Sequence, residues 1–341
     1  MLILGIESSC DETAVAIVEN GTRVLSNTVA SLQSDFAMKG GVIPEDAARK
    51  QLECILPVLH TALRDAGYAQ NEIDTIAVTR GPGLLGSLLI GTTTARLLSS
   101  LWETPLIGVH HTLGHLSSIW LDIADEPEFP IITLSASGGH TDLWYRTSHL
   151  TGELIGTTRD DAAGEAFDKG ASMLGLPYPG GPSIAKAALE GKEDAYEFPR
   201  PLHEERTCAL SFSGLKTALK YTIADLSVPL ETARADLAAS FQFALCRHLT
   251  DRMRIACENY PDCREIHIVG GVSANTRLRE MLTALPQGIL VRHPVSLRYC
   301  TDNAAMIAAA GYFLLQEKKQ DAYLEFDTQA SLPLTAVTLK R

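Results

Sequence analysis

The sequence has no closely spaced cysteine pair and no excess of basic residues. Its seven cysteines form no CxxC pair, which argues against a zinc knuckle, and their odd number is typical of free thiols in a reducing cytosol. There are 41 acidic residues against 29 basic ones, and the net charge is −12. Because contacts to phosphate need Lys and Arg, the chain is not expected to grip nucleic acid unaided. A basic face, or a partner that supplies one, is still compatible with this charge.

The chain also lacks a recognisable targeting segment. Its amino terminus reaches Glu7 without the basic region that begins a signal peptide. An apolar stretch at residues 84–102 follows glycines and contains the polar run TTTAR, so it predicts a buried helix and not a membrane span. We therefore expect a soluble, cytoplasmic protein.

The order of the predicted elements indicates an internal duplication. An acidic, proline-bearing segment at residues 122–130 separates two halves, and each half begins with three short strands and later adds a strand, a glycine-rich turn and a helix. The opening strands are predicted at residues 2–7, 13–19 and 22–28, and again at 130–135, 142–146 and 153–158. A chain of 341 residues with this pattern predicts two α/β halves, with a cleft between them for a ligand.

A pair of histidines follows a short predicted strand in the segment LIGVHHTLGHL, residues 106–116. His111 and His115 are four residues apart, so on a helix they face the same way, whereas His110 points elsewhere. Two such imidazoles can bind one metal ion. We choose Asp302, at the start of an alanine-rich helix, as the third ligand. The plainer interpretation is that these are ordinary histidines at the start of a helix.

Small polar turns recur where predicted strands end or helices begin. Backbone N–H groups in such turns bind phosphate well, and the turns here are Ser8-Ser9, Ser137-Gly138-Gly139, Gly180-Gly181 and Gly270-Gly271. Together they predict a nucleotide site. Acidic residues near these turns are Glu7, Asp11, Glu12, Asp142 and Asp168, of which Asp11 and Glu12 are the most interesting because they face the predicted phosphate.

Two motifs suggest other enzymes. Gly81, Gly83 and Gly86 satisfy the GxGxxG pattern of a Rossmann dehydrogenase, but Pro82 stiffens this turn and close packing explains the glycines more simply. HTLGH resembles half of a zinc peptidase motif, but no Glu follows its first His, so the general base of that mechanism is missing.

Nine motifs in one order resemble the TsaD family, the tRNA N6-adenosine threonylcarbamoyltransferases formerly named O-sialoglycoprotein endopeptidases. The resemblance extends from about residue 3 to about residue 315. The motifs are ESSCDET at 7–13, GPGLLGSLLIG at 81–91, HHTLGH at 110–115, SGGHTDL at 137–143, GEAFDK at 164–169, YPGGP at 178–182, SFSGLKTA at 211–218, GGVSANTRLR at 270–279 and TDNAAM at 301–306.

The resemblance implies an α/β, actin-like (ASKHA) fold of two duplicated lobes. We place the first lobe at residues 1–128 plus 304–325, the second, with helical insertions, at 129–303, and a C-terminal tail at 326–341. The family often has an Asp where this chain has Ala185, so a ribose or base contact of that Asp is in doubt here.

The resemblance also assigns site residues. It implies that His111, His115 and Asp302 hold one divalent metal, Fe²⁺ first and Zn²⁺ as the alternative. The residues that would line the nucleotide and substrate site are Ser135, Ala136, Ser137, Gly138, Gly139, Asp168, Gly181 and Asn275.

The implied reaction moves a threonylcarbamoyl group from threonylcarbamoyl-AMP to N6 of the adenosine next to the anticodon, in tRNAs that read ANN codons. Asp11, Glu12 or His140 could take the proton of the amine, and the sequence does not choose among them. The expected partners are a TsaB paralogue, sought at the helix from Pro44, and a TsaE ATPase. Candidate tRNA-facing groups, equally compatible with solvated helix faces, are Lys216, Lys220, Arg247, Arg252 and Arg254.

Three other functions are weighed against the transferase. A small-molecule kinase or ATPase of the same fold would need only magnesium, and a non-catalytic scaffold like TsaB would lack the metal ligands. The third is the peptidase of the older family name.

Overall fold

The computed structural model describes residues 1–31, 43–285, 288–323 and 325–334. The chain divides into two compact units. Unit 1 comprises Met1–Pro127, Ser148–Gly152 and Pro294–Arg341, and unit 2 comprises Glu128–Thr147 and Glu153–His293. Within the part of the chain that is described, no helix is both long enough and apolar enough to cross a membrane.

Unit 1 contains a five-stranded sheet in the order β3-β2-β1-β4-β5. β1 pairs antiparallel with β2 and parallel with β4, and β2 pairs antiparallel with β3. The strands are β1 (Leu2–Glu7), β2 (Glu12–Glu19), β3 (Arg23–Ser31), β4 (Thr75–Gly81) and β5 (Leu106–His110). The helices of this unit are α1 (Pro44–Ala66), α2 (Leu85–Trp102), α3 (His111–Ser117) and α9 (Ala304–Lys318).

Unit 2 repeats this order with its own five strands, β8-β7-β6-β9-β10. The strands are β6 (Ile131–Ala136), β7 (Thr141–Arg146), β8 (Gly152–Thr157), β9 (Glu265–Val269) and β10 (Leu290–Arg292). Its helices are α4 (Ala163–Met173), α5 (Gly180–Ala188), α6 (Ser213–Ala224), α7 (Leu230–Asn259) and α8 (Thr276–Thr283). The shared strand order confirms the duplication predicted from the order of elements.

Each unit is built on its own apolar core. In unit 1, Ile6, Val15 and Val78 belong to a cluster of buried residues from the sheet and from the inner faces of α1 and α2. In unit 2, Phe167 of α4 and Phe241 of α7 belong to the corresponding cluster. Burial of such side chains is the main favourable term in folding.

Helix α9 packs closely on the first strand. A Cβ atom placed on Gly5 would lie 2.2 Å from the carbonyl oxygen of Ala304, so only glycine lets the helix approach β1 this closely. Just before α9, the hydroxyl of Tyr299 donates a 2.6 Å hydrogen bond to Asp122. These contacts explain why residues 294–303 cluster with unit 1, although we had placed them in the second lobe.

Residues 326–334 of the predicted tail are bound to unit 1. Leu332 and Leu334 are 7% and 5% exposed, and Gln329 N–H donates to the carbonyl oxygen of Arg80 at 2.9 Å. The other residues of the predicted tail, 335–341, lie outside the described part of the chain.

Candidate functional site: a metal-ligand triad and a glycine-rich turn cluster

Helix α3 carries both histidines of the predicted metal group. It begins directly after β5, and the ring of His110 caps it, because Nδ1 accepts a 3.1 Å hydrogen bond from the N–H of Thr112. Gly114 marks the contact with α9, since a Cβ atom there would lie 2.6 Å from Cδ1 of Ile307. A seven-residue helix is not stable alone, so these contacts fix the direction of its side chains.

Asp302 immediately precedes the capping residue of α9. The side chain of Asn303 accepts a 3.1 Å hydrogen bond from Met306 N–H, so Asn303 caps the helix and Asp302 does not. The carboxylate of Asp302 is therefore left to approach the two histidines.

The structure brings His111, His115 and Asp302 together within unit 1. Oδ1 of Asp302 lies 3.1 Å from Nε2 of His115 and 3.6 Å from Nε2 of His111, and the three ligand atoms lie within 4.8 Å of one another. His115 is 3% exposed, and neither of its ring nitrogens makes a hydrogen bond of acceptable geometry. Two imidazoles and a carboxylate suit Fe²⁺ or Zn²⁺, so the donor set could hold such an ion.

Glu7 contacts the triad, and the sequence did not reveal this contact. Its side chain is buried, and Oε2 accepts hydrogen bonds from Nδ1 of His111 at 3.1 Å and from the hydroxyl of Thr79 at 2.6 Å. Since a carboxylate only accepts, His111 donates from Nδ1, so Nε2 would be the nitrogen that binds a metal. The available signal was an acid that ends an otherwise apolar strand, LILGIE.

The charges at the triad perturb one another strongly. Burial lowers the pKa of His111, but the carboxylates of Asp302 and Glu7 outweigh it and raise this pKa to about 9. Burial would raise the pKa of Glu7, but the adjacent His111 outweighs it and lowers that pKa. Two carboxylates facing one imidazole therefore favour a positive charge here, which a divalent cation would supply if it were bound.

The three candidate proton acceptors lie in different surroundings. Asp11 and Glu12 follow β1 in unit 1, and Asp11 is 8% exposed. Burial, together with the charges of Asp302 and Asp11, raises the pKa of Glu12 to about 10, so Glu12 holds its proton at neutral pH. His140 lies exposed in the turn after β6 in unit 2.

In unit 2, the predicted substrate residues lie at the carboxyl end of β6. Ser135 and Ala136 are buried in the strand, whereas Gly138 and Gly139 are exposed. A Cβ atom on either glycine would have open space around it, so a ligand could approach the backbone there. The hydroxyl of Ser137 accepts from the N–H groups of Gly139 and His140 at 3.3 and 3.2 Å, so the turn uses these two amides internally.

Two further segments converge on this turn. A Cβ atom on Gly164, in the first turn of α4, would lie 2.6 Å from the carbonyl oxygen of Ser137. A Cβ atom on Gly270, after β9, would lie 2.4 Å from the carbonyl oxygen of Ala136. Three glycine-bearing segments thus meet where parallel strands end, which is where ligands commonly bind in α/β sheets. We call these segments the turn cluster.

The remaining predicted ligand-binding residues lie on the helices around the turn cluster. Asp168 on α4 accepts a 2.7 Å hydrogen bond from Gly180 N–H, and burial raises its pKa. Gly181 has open space at its Cβ position. Asn275 caps α8, accepting from Leu278 N–H, and its amide donates to Gln242. Ala185, on α5, has no polar group to offer a nucleotide.

The GxGxxG match is explained by packing. A Cβ atom on Gly83 would lie 2.5 Å from the carbonyl oxygen of Ser9, and one on Gly81 would lie 2.1 Å from that of Gln329. Both glycines have positive φ angles, +158° and +151°. Protein atoms therefore fill the space that a pyrophosphate would need, and the dehydrogenase alternative is wrong.

Some predictions for surface residues are also wrong. Arg252, a candidate for tRNA contact, is 1% exposed and donates hydrogen bonds to four backbone carbonyl groups, those of Pro201, Leu202, Glu205 and Thr207. Lys216, another candidate, forms an ion pair with Asp161, and its contact with tRNA stays a prediction. Helix α2, predicted to be buried, exposes one leucine face, with Leu97 and Leu101 at 58% and 69%.

Comparisons with known proteins agree with these features. Residues 23–309 match the family model described as "TsaD: tRNA N6-adenosine threonylcarbamoyltransferase". Proteins of that name from Symbiobacterium thermophilum and Moorella thermoacetica are 51% and 47% identical, over 92% and 97% of this chain and 91% and 97% of theirs. The Bacillus subtilis protein of the same name is 46% identical, over 98% of this chain and 96% of its own.

Solved structures share the fold at low sequence identity. HypF from T. kodakarensis aligns with a TM-score of 0.63 at 16% identity, covering 95% of this chain and 49% of that one. The (R)-2-hydroxyglutaryl-CoA dehydratase component A from Acidaminococcus fermentans aligns with a TM-score of 0.55 at 12% identity, covering 92% and 98%. These similarities confirm the actin-like fold class predicted from the sequence.

Proposed function

Because the chain belongs to the TsaD family, the tRNA N6-adenosine threonylcarbamoyltransferases, we propose how its residues divide the work of that reaction. The chain is a tRNA-modifying acyltransferase that places a threonylcarbamoyl group on N6 of an adenosine. The observation that carries our account of the chemistry is the meeting of His111, His115 and Asp302.

The donor in this proposal is threonylcarbamoyl-adenylate, and the acceptor is the adenosine next to the anticodon. The N6 amine attacks the carbamoyl carbon, and a C–N bond forms while the C–O bond to the phosphate breaks. AMP leaves with the electron pair of that bond, and the amine loses one proton. An exocyclic amine is a poor nucleophile, so the enzyme has to polarise the carbonyl group and accept the proton.

The triad in unit 1 would hold one divalent metal, with Fe²⁺ first and Zn²⁺ second. Such an ion, when bound, supplies a Lewis acid and an orienting charge for the oxygens of the mixed anhydride. Glu7 acts as a positioning residue, because its hydrogen bond from Nδ1 keeps Nε2 of His111 directed at the ion. The 3.1 Å distance between Nε2 of the buried His115 and Oδ1 of Asp302 supports this assignment.

The proton acceptor is proposed to be Asp11, Glu12 or His140. Because the pKa of Glu12 is about 10, its carboxyl group is protonated at neutral pH. In that state it donates a hydrogen bond and has to lose its own proton before it can accept another. Single variants at the three positions, each with its metal content checked, sort the candidates. A variant that keeps the parent's transfer rate removes that residue from consideration.

The turn cluster in unit 2 is proposed to bind the adenylate. The open Cβ positions of Gly138, Gly139 and Gly181 support this role, because a ligand there would meet backbone and not side chains. Asp168 is proposed to accept from a ribose hydroxyl with the carboxylate oxygen that Gly180 does not use. Ser135, Ala136 and Asn275 then act by fixing the surrounding backbone.

Partner proteins are proposed because an acidic chain does not hold tRNA well by itself. A TsaB paralogue is expected on the exposed leucines of α1 and α2, where Leu52 and Leu56 are 64% and 61% exposed. A TsaE ATPase is the second expected partner. A tRNA substrate and these partners place the reaction in the cytoplasm.

One assay tests the proposal. Metal-loaded protein is combined with tRNA, threonylcarbamoyl-adenylate and both partners, and the nucleosides of the tRNA are analysed. We expect threonylcarbamoyladenosine in the complete mixture, and none after chelation of the metal until Fe²⁺ or Zn²⁺ is restored. If the product is absent, while the chain transfers phosphate from ATP to a small molecule, the kinase alternative replaces this proposal.

A further inference from the structure

The segment Glu325–Leu334, which we call the strap, is attached to unit 1 mainly through main-chain groups. Gly83 N–H donates to the carbonyl oxygen of Ala330 at 3.1 Å, and Gln329 N–H donates to that of Arg80 at 2.9 Å. Arg96 donates from Nη2 to the carbonyl oxygen of Phe326, also at 2.9 Å. The strap therefore contacts α2 at Phe326, and the end of β4 and the turn after it at Gln329 and Ala330.

Two glycines under the strap leave the space that it fills. A Cβ atom on Gly108 would lie 2.5 Å from the ring of Phe326, and one on Gly81 would lie 2.1 Å from the carbonyl oxygen of Gln329. Gly81 also has a φ of +151°, which other residues rarely adopt. The seat of the strap is thus built into β4 and β5, and β5 leads directly into α3, which carries His111 and His115.

Near its carboxyl end, the strap contacts His110. The carbonyl oxygen of Leu332 lies 2.7 Å from Nε2 of this histidine, whose ring is 1% exposed. A carbonyl oxygen only accepts, so Nε2 donates to it, while Nδ1 accepts from Thr112 N–H at 3.1 Å. One buried ring therefore joins the strap to the first turn of α3. His111, the first residue of that helix, is its neighbour in the chain.

We propose that the strap is a positioning element for the metal group, with His110 as the positioning residue that joins them. By fixing the His110 ring, Leu332 fixes the cap of α3 and hence the directions of His111 and His115. Residues that orient metal ligands in this way typically change metal affinity by about 10- to 100-fold when they are lost. The metal part of this inference rests on the proposed function.

Two truncated chains and one substitution distinguish the effect of the strap from that of neighbouring residues. A chain that ends at residue 334 keeps the strap, and one that ends at residue 324 removes it. His110→Asn retains an N-cap acceptor, because Asn is among the best capping residues, but it is too short to reach Leu332. Ile55→Val, on α1 in the core of unit 1, is the control for a small general loss of stability.

Metal affinity is measured by titration with Co²⁺, whose visible spectrum reports ligand geometry, and by competition with Zn²⁺. We expect dissociation constants about 10- to 100-fold higher for His110→Asn and for the chain ending at residue 324. The chain ending at residue 334 and Ile55→Val should match the parent. Unchanged Co²⁺ affinity in folded His110→Asn would overturn the proposal, as would an equal loss in Ile55→Val.

Hydrogen exchange of the amides of residues 113–117 provides a readout that needs no metal. We expect faster exchange in α3 when the strap is removed, with α1 unchanged. If the parent chain binds no Co²⁺, the metal assignment of the proposed function fails, and hydrogen exchange still decides whether the strap holds α3. Equal protection of α3 with and without the strap would overturn the inference by itself.

Discussion

The turns after β1 and after β6 occupy the same place in two sheets of the same topology, but their chemistry differs. The turn after β1 is polar and largely buried, and Glu7 at its start bonds to a histidine of the metal-ligand triad. The turn after β6 is exposed and carries Gly138 and Gly139, whose Cβ positions are open. The duplication thus gives β1 and β6 equivalent carboxyl ends. The end of β1 suits a cation, and the end of β6 suits a ligand that contacts main-chain groups.

The largest expected effect on metal binding comes from removing one of the metal-ligating side chains of unit 1. His115→Ala should raise the metal dissociation constant by more than about 100-fold, beyond the effect of losing a residue that only orients a ligand. Transfer should be lost with the metal. The measurement is metal content after dialysis together with nucleoside analysis, and His60→Ala, on the exposed face of α1, is the control. Normal metal content in His115→Ala would remove it from the triad.

Glu7→Gln should have the next largest effect. The amide no longer supplies the charged acceptor for Nδ1 of His111, so metal affinity should fall about 10- to 100-fold while the fold is kept. Thr79→Ser, which preserves the hydroxyl donor to Glu7, should behave like the parent. The test is Co²⁺ titration beside thermal unfolding. Parent-like affinity in Glu7→Gln would show that the turn after β1 plays no part in metal binding.

On the unit 2 side, Gly138→Val tests the open turn. No atom lies within 4 Å of the added Cβ, so stability should change little. The KM for threonylcarbamoyl-adenylate should rise about 10-fold, a loss of about 1.4 kcal/mol of binding. Gly164→Ala is the contrasting variant, because its Cβ would lie 2.6 Å from the carbonyl oxygen of Ser137 and should lower the melting temperature. An unchanged KM in Gly138→Val would separate this turn from the substrate.

The smallest effect is a pH dependence of the stability of unit 2. Burial is the main cause that lowers the pKa of both His248 and His267 to about 4. As the pH falls, the unfolded chain takes up these protons before the folded chain does. The contribution of the two neutral histidines to the free energy of unfolding is therefore complete above pH 6.5 and is lost as the pH falls towards 4. When the pH is lowered from 7 to 5.5, each histidine should reduce the free energy of unfolding by about 1 kcal/mol. Urea unfolding at both values measures it.

The control for this pH effect is His248→Gln. Its unfolding free energy should lose about half of the pH dependence, because one of the two histidines is gone. A parent-like slope in His248→Gln would contradict the assignment of that slope to the buried imidazoles.

The sequence predicted the regular elements well because their signals are local. The strand order repeated in the two units followed from hydrophobic runs and turns. The pairing of His111 with His115 followed from helical spacing alone.

What the sequence did not reveal depends on contacts between distant residues. The strap is bound through main-chain N–H and carbonyl groups, which do not depend on the side chain, so no side-chain pattern marks Gln329 or Leu332. Arg252 looked like a surface cation because nothing local shows that four carbonyl groups surround it. Glu7 bonds to a residue 104 positions away. Burial and partner identity of this kind are properties of the folded chain.

The most direct test of the metal assignment is anomalous diffraction at the iron edge from crystals of iron-loaded protein. The account predicts one strong peak about 2.0–2.2 Å from Nε2 of His111, Nε2 of His115 and a carboxylate oxygen of Asp302, the usual range for nitrogen and oxygen ligands of such ions. A peak at any other place in the chain, or no peak at these three side chains in crystals that contain bound iron, would contradict it.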